Sequence, residues 1–225
     1  MKAKEFFERM AKFDPRTKDV RGVEREGRIF VNRRAEAPLL AELAKAGVPA
    51  KTVSDLKKKD YKAIVPLLLK WVRECDNDDI RSEIVRLLTV PWAAEKALPV
   101  FVEEFGRLKH FDTAVADALA NGISAFANDE IFPDLQQWIN DTRIGAVRKL
   151  LLTGIQRIQN AKAVNLLVQQ LNDAETGDTA FGILRKMKTE AAQDAVRACL
   201  SHPSPNIRRR AKKVIAVKDR KLKPR

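Results

Sequence analysis

The sequence predicts an all-α fold of about five stacked helical hairpins, preceded by an N-terminal extension that is part helical and part irregular. Three observations predict it. Ala and Leu are plentiful, Phe outnumbers Tyr by 10 to 1, and Gly and Pro number only 9 and 10, a composition that favours helix over sheet. From Ala37 onward, apolar residues recur at helical spacing with no β-branched alternation between them. The helical pattern is itself repeated along the chain, the signature of stacked supersecondary units.

The bulk properties fit one domain or one short array of repeats. The chain has 225 residues, 45% apolar and 32% charged, enough apolar surface for a sizeable core. The longest apolar stretch, Ile64–Val72, is interrupted by Pro66 and Lys70 and falls short of the ~18 residues that cross a bilayer. The opening "MKAKEFFERMAKF" carries charges every two or three residues and lacks the apolar region of a secretion signal. Cys75 and Cys199 stand far apart, so no disulfide framework is expected and a reducing, cytoplasmic setting is.

Element by element, residues 2–13 read as a short amphipathic helix with Phe6, Phe7, Met10 and Phe13 on one side. "DPRTKD" reads as a turn. The apolar Ile29–Val31 lies among charges, and a hairpin, a draped loop and a basic arm all fit it. The extension is therefore placed at residues 1–35, the repeat array at 36–217 and a basic tail at 218–225. Leu39, Leu40 and Leu43 open the array as a helix, with Gly47 at its C-terminus. Thr52 or Ser54 then caps a short turn.

Three segments line up: Val65–Val90, Phe132–Ile158 and Ala192–Val217. Each has an apolar helix, a polar turn, an Ile or Val followed by Arg, and a second apolar helix. The paired residues are Ile80-Arg81, Val147-Arg148 and Ile207-Arg208. Two weaker copies, Leu98–Phe126 and Val164–Met187, fill the gaps, lacking the Arg and reading as lacking the polar turn residue too. A single helical hairpin cannot cover its own apolar face, so the copies are expected to lean on one another. In the last copy Ser204 is placed to cap, Pro205 suits the first helical turn, and Ile207, Ala211, Val214 and Ile215 form a stripe.

"LSHPSPNIRRRA", "INDTRIGAVRKL" and, more loosely, "ECDNDDIRSEI" resemble the turn and second-helix start of a HEAT repeat, the hairpin unit of armadillo-like α-solenoids. The resemblance spans about residues 63–217 and implies a right-handed α-solenoid. It also implies a structural ladder of Asp and Arg side chains between neighbouring repeats, with Arg81, Asp141, Arg148 and Arg208 in that role. His202 stands where the last repeat would carry Asp.

Residues suited to chemistry are few. His110 and His202 fall in turns, and no clustered ligand set for a metal, glycine-rich phosphate loop or serine elbow occurs. The "DNDDIRSEIVRL" stretch fails as a calcium loop, with Arg81 and Leu87 at the Gly and Glu positions, and reads as an acidic helix start. Glu103-Glu104 and Asp129-Glu130 read as solvated pairs. Among the tryptophans, Trp71 and Trp138 occupy comparable first-helix positions, so they are either core or aromatic anchors on one binding face. The resemblance leaves one enzyme reading, a helical-repeat DNA glycosylase acting on alkylated purines, with Trp138, Asp141 and Arg148 as its candidate residues.

The net charge of +13 is concentrated at the ends. Arg208–Arg225 holds ten basic residues against Asp219 alone, whereas the middle of the chain is nearly neutral. The expectation is a non-enzymatic scaffold that binds a protein partner and uses neither cofactor nor metal. The alternative is nucleic-acid binding through the basic C-terminal half, with Arg209, Arg210, Lys212, Lys213, Arg220 and Lys221 as candidate contacts.

Overall fold

The apolar periodicity becomes eleven α-helices among the described residues, with no strand among them. The structure is a computed structural model that describes the backbone of residues 20–222 and the side chains of residues 32–216. The helix expected over residues 2–13 and the turn after it lie outside that range. So do the side chains of Arg220 and Lys221.

The chain divides into two compact units between Ala93 and Ala94. In the first, α1 runs from Val20 to Lys45 and ends at Gly47, whose φ of +80° suits a residue without a Cβ. The backbone through Ile29–Val31 is therefore helical, which corrects all three readings offered there: it is neither hairpin, loop nor irregular arm. The boundary drawn at residue 35 falls inside this helix. Asn32, on α1, donates to the Asp79 carboxylate at 3.1 Å and accepts from the Asn77 amide at 3.3 Å. A short 3-10 helix, Val53–Lys58, follows; its N-cap is Thr52, and the Asp55 carboxylate accepts the N–H groups of Lys51 and Thr52 at 3.0 Å each. Then come α2 (Val65–Glu74) and α3 (Asp78–Leu88), packed as a hairpin. Asn77 caps α3 by accepting the Ile80 N–H at 3.0 Å, and Asp78 and Asp79 lie in its positively polarised first turn. Leu39, Leu43, Leu56, Leu68, Ile84 and Leu88 form the fully buried core of this unit.

The second unit holds four hairpins. They are α4 (Ala94–Gly106) with α5 (Ala114–Phe126), α6 (Phe132–Asn140) with α7 (Val147–Ile155), α8 (Ala161–Gln170) with α9 (Gly177–Leu184), and α10 (Glu190–Ala198) with α11 (Pro205–Leu222). Each of the five repeat windows read from the sequence thus contains one pair of contacting helices. The second helices also meet one another, α5 on α7 and α7 on α9. Gly154 permits the first contact: a Cβ there would come within 2.9 Å of the Ser124 backbone. The Ser124 hydroxyl closes the same contact by donating to the Leu150 carbonyl at 2.5 Å. Leu119, Ile123, Leu135, Leu151, Leu152 and Ile155 are fully buried around it. Each such side chain contributes about 1.5–3 kcal/mol relative to exposure. The last helix continues to Leu222, five residues beyond the boundary at Val217, so most of the segment read as tail is helical backbone.

Candidate functional site

The arginines expected in the seams come first. Arg81 donates its Nε–H to the Val72 carbonyl at 2.6 Å, and Arg148 donates its Nε–H to the Ile139 carbonyl at 2.7 Å. Both bonds span nine residues. In each hairpin the second helix thus satisfies a carbonyl near the C-terminal end of the first, where helix carbonyls lack internal partners. Arg208 acts on a tighter turn, donating to the His202 and Pro203 carbonyls at 2.6 and 2.7 Å.

Arg148 also reaches the next hairpin. Its Nη2 donates to the Gln170 amide oxygen at 3.1 Å and to the Asp173 carboxylate at 2.7 Å. Gln170 in turn donates to Asn140, and the buried Thr176 hydroxyl donates to Gln170 at 2.8 Å. Asp173 also accepts the N–H groups of Glu175 and Thr176 at 2.9 Å each. Burial pushes the Asp173 carboxyl up, but the hydrogen bonds from Arg148, Thr176 and Glu175 outweigh it and hold its pKa at about 2.

Asp173 corrects the sequence reading, which gave the fourth repeat no polar turn residue. It also explains Asp141. A seam of this kind joins the arginine of one hairpin to the aspartate of the next. At the arginine position the second repeat carries Ala116, so the hairpin before Asp141 offers no guanidinium from that position. Asp141 instead binds its own turn: Arg143 donates Nε–H at 2.8 Å and Nη2–H at 2.6 Å, and its N–H at 3.0 Å. The Arg143 guanidinium holds the Asp141 carboxyl at about 2. In the fourth repeat Gly177 takes the arginine position, and no larger residue fits, since a Cβ would lie 2.6 Å from the Leu171 carbonyl oxygen. The solvated-pair reading of Glu103-Glu104 is corrected as well. Glu104 is buried and accepts from Arg107 at 2.9 Å.

The tryptophans divide differently from the sequence expectation. Trp138 is 9% exposed, its ring tilted against Phe105 at 4.7 Å, so it is a core residue and not a surface anchor. Trp71 is half-buried and donates its indole N–H to Glu42 at 3.3 Å. Trp92 is the exposed one, at 45%. It sits in the 3-10 turn Pro91–Ala93 after α3, held by Ala93 N–H donating to the Val90 carbonyl at 3.0 Å. Its ring rests on buried Tyr61, centroids 5.2 Å apart and planes tilted by 59°. Tyr61 is itself anchored, donating its hydroxyl to the Leu87 carbonyl at 2.7 Å, and burial raises its pKa. Lys62 holds its ammonium 5.7 Å from the Trp92 ring centre. A large aromatic surface is therefore presented to solvent on a fixed support. Its sequence signal was weak, because Trp92 lies between repeats and has no counterpart in them.

The basic candidates lie on α11. Arg209, Lys212 and Lys213 are exposed, and Arg209 donates to Asn206 at 3.0 Å. Arg210 binds Asp178 of α9 at 2.6 Å and stacks its guanidinium over Phe181 at 4.8 Å. Trp138, Asp141 and Arg148, the glycosylase candidates, do not converge on an open pocket. One is packed in the core, one is bound to its own turn and one is buried in a seam. No group of three or more His, Cys, Asp or Glu side chains suited to a metal ion occurs among the described residues, and no described helix is long and apolar enough to cross a membrane. Compared with protein-family models, curated proteins and solved structures, the chain matches none.

Proposed function

We propose that the chain is a non-enzymatic, cytoplasmic binding module, an α-solenoid of HEAT-like hairpins that offers its surface to a protein partner. The single observation that carries this reading is Trp92. A 45%-exposed indole fixed by Tyr61 and Lys62 is an aromatic anchor prepared before binding, and such residues dominate the energetics of protein interfaces. The stacking of second helices within residues 94–222 supports the repeat reading. The spending of Asp141 and Arg148 on turns and seams leaves surface contacts as the main resource of the chain.

The test is co-purification from native cells with wild-type chain and with Trp92→Ala, after equal thermal unfolding of the two has been established. The reading expects a protein partner recovered on the wild type and reduced about tenfold or more on the variant, the scale of a hot-spot residue. Equal recovery on both contradicts it.

A further inference from the structure

The basic residues of the last hairpins do not act as a tail; the fold gathers them into a row. Two side-chain contacts, Asn206 to Asp178 and Arg210 to Phe181, order α11 along α9 in the same direction. Asn206 and Arg210, one turn apart on α11, both reach Asp178, with a sequence offset of 28 between Asn206 and Asp178. Arg210 also extends one turn along α9, to Phe181 and to within 3.8 Å of a Cβ placed on Gly182. The same offset carried one turn further sets Lys213 level with Arg185. On the other side, α7 and α9 end in matching turns. The Arg157 and Lys186 N–H groups donate to Gly154 and Ile183 in equivalent bonds, so these two residues occupy the same level of successive hairpins.

Arg157, Arg185, Lys186 and Lys213 therefore cross three adjacent helices at one height, with Lys188 beside them. All five are exposed, and none forms an ion pair among the described residues. Helices pack ~8–10 Å apart, so the row is about 20 Å long. From residue 181 to 216 the chain carries nine basic and two acidic residues. Of those acids, Asp194 is bound to Arg197, which leaves Glu190. Asp178, on the same helix face, is neutralised by Arg210. The exposed large apolar residues, Trp92, Val168 and Leu200, lie on other segments, so the row has neither an aromatic platform for stacking bases nor an apolar wedge for entering lipid.

We propose that this row is a sequence-independent binding site for the phosphate backbone of a nucleic-acid duplex. A duplex presents a charge every ~1.7 Å along its axis, so a row of this length faces several phosphates at once. The inference goes beyond the protein-partner reading and does not depend on Trp92.

The test measures anisotropy of a labelled 20-base-pair duplex with the full chain from about 50 to 200 mM salt. Two equal charge losses are compared, R185Q/K186Q/K213Q in the row and K51Q/K58Q/K59Q in the first unit, together with deletion of residues 218–225. The row side chains have no ion-pair or hydrogen-bond partner among the described residues; if the triple variant nevertheless melts early, K186Q/K213Q replaces it. The expected result is binding in the range of about 10⁻⁴–10⁻⁶ M near 150 mM salt, with a log–log salt slope of about −3 to −5. The row triple weakens it about tenfold or more and flattens the slope by about 2–3, while the first-unit triple changes it less than about threefold. Equal weakening by the two triples overturns the proposal, as does loss on deleting 218–225 with the row triple silent. Equal affinity for polyglutamate or for phosphatidylserine vesicles overturns it as well.

Discussion

Arg148 and Asp173 meet across a hairpin boundary at 2.7 Å, with the arginine side chain only 4% exposed and the carboxylate 24%. Arg148 at the same time satisfies the Ile139 carbonyl within its own hairpin. One guanidinium thus ties the turn it belongs to and the repeat that follows. Removing the acid leaves a buried cation short of a partner, whereas removing Asp141 frees only an exposed local pair. Asp173→Asn is expected to lower unfolding stability by about 2–3 kcal/mol. Asp141→Asn is expected to change it clearly less, because its pair with Arg143 is exposed and local. Urea denaturation of the two variants side by side checks the contrast.

The same carboxylates set an acid limit. The folded pKa of Asp173 is about 2, below the ~3.9 of an unfolded aspartate. The unfolded chain therefore takes up the proton first. The stabilisation is complete above pH ~4 and is lost as the pH falls from ~4 toward 2. Asp141, also at about 2, titrates in the same window. Urea midpoints measured between pH 6 and pH 2.5 should drop steeply below pH 4, and the drop should be shallower in Asp173→Asn.

Two glycines are expected to resist even the smallest side chain. Gly154→Ala places a methyl 2.9 Å from the Ser124 backbone and 3.0 Å from the Ala127 Cβ, and should cost about 1–3 kcal/mol by forcing α5 and α7 apart. Gly177→Ala meets the Leu171 carbonyl oxygen at 2.6 Å, a backbone atom that cannot rotate away, and should cost at least as much. Gly47→Ala finds open space; its penalty comes from the φ of +80° alone, and it should be the mildest of the three. Thermal melts of the three variants test the order.

Fluorescence separates the tryptophans. Acrylamide should quench one strongly accessible component in the native chain, and Trp92→Phe should remove it, because Trp138 is packed against Phe105 and Trp71 is half-covered by its bond to Glu42. An unchanged quenching curve in Trp92→Phe contradicts the assignment.

Hairpin positions were legible because apolar periodicity and capping residues are local. Gly47 and Pro205 mark helix ends without reference to the rest of the fold. What escaped depends on contacts distant in sequence. Asp173 went unnoticed because Gly177 replaces the arginine that would have flagged its repeat, and its partner comes from the hairpin before. Trp138 resembles Trp71 in register, yet Phe105 covers the one and Glu42 holds the edge of the other. Ile29–Val31 read as a hairpin, loop or arm because its charged flanks hide the helical periodicity; on the same helix, Asn32 is tied to the start of α3. The basic row is readable only once the offset between α9 and α11 is known.

The claim beneath the whole account is that adjacent hairpins are coupled through Arg148 and Asp173. A double-mutant cycle with Arg148→Met, Asp173→Asn and the pair, read by urea denaturation, measures that coupling directly. An interaction energy of about 1.5 kcal/mol or more is expected, with the double variant little worse than Arg148→Met alone. Strictly additive losses would contradict it.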